Sequence, residues 1–252
     1  MSRPHATLCK ALADDLRQLA ALHDRELDRE RISALRADGF PESLGLLPQG
    51  QTGRDATEIL LAALGGLDEP AGDTQLDDLA ADYADLYLNH GLQTSPLESV
   101  WLDEEGLTHQ APMFEVREYY QRHGLGSAAW RVRSDDHLCL QLEFLAFLFE
   151  QAAAEDDPTQ TMAETANFLD EHLLRWIPEF GLRTARRCAT PFYAGLGLLT
   201  AGYVEELRQL LEEALGQARP TAEEIEERMN PAAQAIPVAA PAAYVPGVAP
   251  SW

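Results

Sequence analysis

Asp135, Asp136 and His137 set two carboxylates and an imidazole side by side, at the start of an almost wholly apolar stretch from Leu138 to Phe149. Only Gln141 and Glu143 are polar in that stretch, which predicts a helix buried on most of its circumference. The acids then stand where buried helix meets solvent. Ser134 or Asp135 can cap the free N–H groups of the first turn, where the helix dipole favours negative charge. Asp136 and His137 remain for other work. A carboxylate so placed gives a guanidinium charge-assisted, often bidentate hydrogen bonds, and Asp136 is the candidate for that contact or for orienting His137. His137 can serve as a polar hinge element whose charge changes near neutral pH.

Other chemistries need patterns that the chain lacks. Zinc hydrolases use His-Glu-x-x-His and di-iron bundles use Glu-x-x-His, and neither occurs. A metal-dependent helical enzyme therefore rests on His137, Glu143 and His172 converging from separate helices. The simpler expectation is that His137 and His172 hydrogen-bond their neighbouring acids, with no metal. The stretch Gly195-Leu-Gly197-Leu-Leu-Thr-Ala-Gly202 has neither the preceding strand nor the Lys-Ser/Thr ending of a phosphate loop, and reads as small residues on a closely packed helix. There is no Gly-x-Ser-x-Gly elbow and no cysteine with an evident histidine partner, so no catalysis is expected.

The elements that must position these residues are helices. Leu8, Leu12, Leu16, Leu19 and Leu22 recur at intervals of three and four, which predicts a first helix reaching to about Leu35. Gly39, Pro41, Gly45, Pro48, Gly50 and Gly53 predict a loop before a short apolar helix, Glu58 to Leu64. Thr74 opens the helix that carries Tyr83 and Tyr87. Asp157-Pro158 starts another, and Thr221-Ala-Glu-Glu224 is a capping box. Apolar and polar residues nowhere alternate long enough to suggest a sheet, so the fold class is all-α. Residues 1–229 form the helical domain, with a hinge near 124–134. Residues 230–252 hold five prolines, eight alanines and no charge, which predicts an extended, flexible tail whose Tyr244 and Trp252 can dock on a partner or on the protein itself.

With 19 Lys and Arg against 42 Asp and Glu, the formal charge is −23. Nucleic acid and anionic membrane surfaces are thereby excluded as partners, since both are held through Lys and Arg. A basic partner is the natural complement. Cys9, Cys139 and Cys188 form no C-x-x-C pair and read as reduced core thiols. No run is long enough to span a bilayer and the first residues lack a signal-type apolar core, so a cytoplasmic protein is expected. The Arg186-Arg187 pair lies too deep in the chain to be its export signal.

Several further segments share one order and spacing: Tyr83-Ala-Asp-Leu-Tyr87, Ser95-Pro-Leu-Glu-Ser-Val-Trp-Leu102, Asp136-His137, Phe168-Leu-Asp-Glu-His-Leu-Leu-Arg-Trp176 and Pro191-Phe-Tyr193. From about Asp78 to about Leu207 they resemble the TorD/DmsD family of redox-enzyme maturation chaperones. Where the family pattern carries Glu-Pro-x-Asp-His, this chain has Arg133 and Ser134 in place of Glu and Pro. The final Phe of Tyr-x-x-Leu-Phe is Tyr87. The resemblance implies a compact bundle of about ten helices. It implies a cytoplasmic chaperone that binds the twin-arginine signal peptide and the apo catalytic subunit of a molybdenum oxidoreductase, delaying export until the cofactor is loaded.

On this view Asp135, Asp136, His137, Tyr83, Leu86, Tyr87, Pro96, Ser99 and Trp101 form the peptide site. Tyr83 and Leu86 face the groove, Tyr87 packs inward, and Trp176, Phe192 and Tyr193 belong to the core. Weak guanine-nucleotide binding is implied by the resemblance alone; otherwise no cofactor is expected. The chain would be a monomer or a dimer swapped through the 124–134 connection. An assembly scaffold that binds a folded partner subunit without reading its leader is the alternative.

Overall fold

A computed structural model describes residues 4–89, 94–103, 105–126 and 133–229. The middle of the expected hinge, residues 127–132, lies outside the described residues, as does the 230–252 tail with Tyr244 and Trp252. Among the described residues there are eleven α-helices and no strand. The chain divides after Arg219. The first unit holds α1 (Pro4–Asp24), α2 (Arg29–Asp38), α3 (Gln51–Gly66), α4 (Asp73–Tyr83), α5 (Glu98–Leu102), α6 (Ala111–Arg122), α7 (Leu138–Ala154), α8 (Thr159–Glu171), α9 (Ile177–Arg187) and α10 (Pro191–Leu215). The second holds α11 (Ala222–Met229), which opens with the expected capping box: Glu224 N donates to Thr221 Oγ1 at 3.2 Å and Thr221 N to Glu224 Oε2 at 2.8 Å.

The bundle is built around α1 and α7, which run antiparallel. His5 reaches the Glu155 carbonyl, Arg17 pairs with Glu150 at 2.6 Å, and Asp24 lies beside Arg133. Leu12, Leu16, Leu19 and Leu22 are buried against Leu138, Leu142, Leu145 and Phe149 of the same core. Leu8, at 42% exposed, is the member of the stripe that escapes it.

The expected single helix to Leu35 is instead two. Asp28 adopts an extended backbone and accepts Arg31 N at 2.8 Å, so it restarts the helix as α2. The leucine stripe could not reveal this break, because Leu27, Ile32 and Leu35 stay buried across it. Likewise α3 begins well before Glu58. Gly53, expected in the loop, lies inside α3, where a Cβ would stand 2.2 Å from Pro48 Cβ.

Small residues let α10 approach its neighbours. A Cβ on Gly181 of α9 would sit 2.6 Å from the Gly197 carbonyl, and one on Gly202 would sit 3.0 Å from Gly53 Cα. The Gly195–Gly202 stretch is thus a helix-packing surface. Asp82 fixes the start of α10 from the side, accepting Ala189 N at 3.0 Å, Thr190 N at 2.6 Å and Thr190 Oγ1 at 2.5 Å. No helix among the described residues is long and apolar enough to cross a membrane.

Candidate functional site

The Ser95–Leu102 segment and the residues ahead of α7 are laced together by backbone bonds. Leu97 and His137 form an isolated antiparallel bridge, with Leu138 N donating to the Pro96 carbonyl at 2.8 Å and Glu98 N to the Asp136 carbonyl at 3.2 Å. Asp136 is fully buried beneath this bridge. Its Oδ2 accepts Ser99 N at 2.8 Å and Ser99 Oγ at 2.5 Å, and its Oδ1 accepts Ser134 Oγ at 2.5 Å. The carboxylate therefore closes the first turn of α5 and holds two chain segments in register.

The expected caps of α7 are redistributed. Ser134 donates to Asp136, and Asp135 Oδ2 accepts Arg117 Nε at 2.5 Å. His137 is the cap: its backbone is extended and its Nδ1 accepts Cys139 N at 3.1 Å. An accepting Nδ1 leaves the neutral ring's proton on Nε2. Asp135 is buried, and its carbonyl accepts Tyr120 Oη at 3.0 Å, so α6 is tied to the same junction.

A second buried network was not visible from sequence. Glu98, Gln141 and His172 are all fully buried; Glu98 Oε1 lies 3.0 Å from His172 Nδ1, and Glu98 Oε2 accepts Gln141 Nε2 at 2.5 Å. His172 stands edge-on to Tyr119, with centroids 5.4 Å apart. The expectation that His172 bonds its neighbouring acids is corrected: Asp170 pairs with Arg208 and Arg219, while Glu171 accepts Tyr119 Oη at 2.6 Å. The backbone at His172, φ −123° and ψ −85°, leaves the helix, and its ring meets Glu98 instead. Among the described residues no three His, Cys, Asp or Glu side chains are grouped to hold a metal, so His137, Glu143 and His172 do not converge.

Tyr83 is half-buried and donates from Oη to the Asp24 carbonyl at 2.7 Å. Leu86, expected to face the groove, is fully buried, because residues 84–88 form a π-helical turn that continues α4. Tyr87 packs inward, 2.5 Å from His23 Nδ1; His23 Nε2 lies 2.8 Å from Thr200 Oγ1. Burial, reinforced by the charge of His137, pushes the His23 pKa down to about 3. Trp176, Phe192 and Tyr193 are in the core, as expected.

Trp101 donates from Nε1 to the Ser95 carbonyl at 2.8 Å. Its ring carries the Arg183 guanidinium 4.3 Å from the centroid. Of the expected site residues, Tyr83, Trp101 and His137 are partly exposed. Leu86, Tyr87, Pro96, Ser99, Asp135 and Asp136 are buried. None of these residues lines the cavity of about 340 Å³ that is bounded by Arg17 of α1, Tyr120 of α6, and Leu140, Glu143, Phe144 and Phe147 of α7.

Residues 53–181 match the family model described as nitrate reductase delta subunit. The chain is 28% identical over 201 residues to the chaperone protein TorD of Vibrio cholerae serotype O1, covering 78% of this chain and 90% of the relative. It is 30% identical over 206 residues to the chaperone protein TorD of a Psychrobacter species, again covering 78% and 90%. The chain belongs to the TorD family of chaperones. TorD-family members are chaperones and not enzymes. The TorD of Aliivibrio fischeri is 28% identical over 186 residues, covering 72% of this chain and 86% of that protein.

Sequence reasoning missed the buried partners Glu98, Gln141 and His23. The available signals were modest: Gln141 is a polar residue in an apolar helix, and His23 continues the leucine face of α1.

Proposed function

We propose that this chain is a cytoplasmic maturation chaperone that binds the twin-arginine leader and the apo catalytic subunit of a molybdenum oxidoreductase, and delays export until the cofactor is in place. The observation that carries this reading is TorD-family membership across most of the chain, and Tyr83, Trp101 and His137 are the expected site residues that stay partly exposed. Aromatic faces suit a guanidinium plane and the apolar residues that come after it, and the formal charge of −23 draws a basic leader. Asp136, Asp135 and Ser99 act in this reading as positioning residues: they hold the frame on which the exposed side chains stand.

The similarity to the nitrate reductase delta-subunit model favours a second reading, a scaffold that binds the client subunit whether or not it carries a leader. Calorimetric titration with an Arg-Arg leader, a Lys-Lys control and the leaderless subunit separates the two. Binding that needs the arginines supports the leader reader. Capture of the leaderless subunit with no affinity for the free leader supports the scaffold.

A further inference from the structure

The last residue of α1, Asp24, already has a guanidinium against it. Arg133 Nη2 contacts Asp24 Oδ1, the exposed Arg25 has its Nε 3.5 Å from Asp24 Oδ2, and the Tyr83 phenol reaches the Asp24 carbonyl at 2.7 Å. Burial raises the Tyr83 pKa; the Asp24 charge raises it further, whereas Arg133 lowers it, so both charges are felt at the ring. A carboxylate, the negative end of a helix and an aromatic ring are the groups that recognise a guanidinium.

Arg133 holds this place from the outside. Asp24 Oδ1 is buried against it, whereas the Arg133 side chain is 39% exposed and reaches in from the segment that precedes α7. A half-exposed ion pair is worth little, so a guanidinium brought by a partner can take its place.

Apolar surface lies within reach of that guanidinium position. Arg17 stands two helical turns before Asp24, about 10 Å along α1. Beside Arg17 is Glu143, whose pKa is raised first by burial and lowered by Arg17, with the Asp24 charge also raising it. These two residues rim the cavity floored by Leu140, Phe144 and Phe147. About three residues of extended peptide span that separation.

We propose that Asp24 accepts a guanidinium of the bound leader, that the leader's apolar run enters the cavity over Phe144 and Phe147, and that Arg133 is an internal occupant which the leader displaces. The proposal rests on the leader-binding function proposed for this chain. An occupant that must leave first lowers the apparent affinity by the fraction of time it is seated.

The test is calorimetric titration of the full chain with a synthetic Arg-Arg leader and its Lys-Lys counterpart. Arg133→Gln is expected to tighten Arg-Arg binding about tenfold, and Asp24→Asn to weaken it about tenfold. Asp24→Asn leaves the backbone carbonyl that Tyr83 uses. In the Asp24→Asn protein, Arg133→Gln should add nothing. Arginine-dependent binding that ignores both substitutions, or in which their effects simply add, overturns the Asp24 proposal and leaves the leader reading standing. If the wild type binds neither leader, or both equally, the leader reading falls. Acetyl-arginine amide titrated into the Arg133→Gln protein then decides the site alone. Saturable amide shifts at Asp24 and Tyr83 that vanish in Asp24→Asn uphold a guanidinium site, and their absence overturns it.

Discussion

Glu98 and His172 meet 3.0 Å apart and fully buried, although 74 residues separate them in sequence. The contact joins α5, in the Ser95–Leu102 segment, to the residue where α8 ends. Gln141 of α7 binds the second oxygen of the same carboxylate, so three elements converge on Glu98.

Removing that carboxylate strands its partners. Glu98→Ala leaves His172 Nδ1 without its acceptor and leaves Gln141 Nε2 only the Asp136 carbonyl at 3.4 Å, and is expected to cost about 3 kcal/mol. Urea unfolding followed by circular dichroism measures the loss. A change under about 1 kcal/mol, typical of a surface site, would mean that the network adds little to stability.

Asp136 offers a sharper contrast, because its role is structural in one view and direct in another. Asp136→Ala should destabilise the protein by about 3 kcal/mol, and Ser134→Ala, which removes one of its donors, by about 1 kcal/mol. The frame role is refuted by an Asp136→Ala protein that unfolds at the wild-type urea concentration yet has lost leader binding. Such a result would make Asp136 a peptide contact.

His23 predicts a pH dependence with a definite sign. Its folded pKa, about 3, lies below the ordinary 6.5, so between those values the unfolded chain binds the extra proton. The stability that this group contributes is complete above pH 6.5 and declines as pH falls towards 3. Over that window the slope attributable to His23 approaches about 1.4 kcal/mol per pH unit. Urea midpoints for wild type and His23→Gln, taken from pH 4 to 7.5, should show a flatter profile in the variant. Parallel profiles would assign the acid sensitivity to other groups.

Two glycines predict opposite effects of one substitution. Gly181→Ala drives a Cβ to 2.6 Å from the Gly197 carbonyl and should cost about 1–3 kcal/mol by forcing α9 and α10 apart. Gly65→Ala, within α3 and with nothing inside 4 Å of the new Cβ, should stabilise by about 0.5–1 kcal/mol. Thermal melts of the two variants should move in opposite directions, and a stabilised Gly181→Ala would show that the two helices can separate without loss.

Periodicity exposed the helices, and the apolar stretch at Leu138–Phe149 marked the buried one, because local hydrophobic spacing is what a helix in a core requires. Sequence could not show where the polar groups of the junction find partners. Ser134 looked like a cap for α7, yet it donates to Asp136, whose other donors arrive from Ser99. His172 likewise passes over the acids beside it for Glu98. Such choices are settled by which distant segment packs against the helix end, and no local pattern encodes that. The α1–α2 break failed for the opposite reason: Leu27 and Ile32 remain in the core, so apolar spacing runs on where the backbone turns.

The antiparallel pairing of α1 with α7 has a consequence during synthesis. His5 meets the Glu155 carbonyl across 150 residues, so the N-terminal helix leaves the ribosome long before the surface that covers it exists. Until then its leucine face stays open to other apolar segments, or to a holding factor. Closing so long a loop delays completion of the core until more than half of the chain has been translated. A chaperone built this way is itself, for much of its birth, an incomplete client.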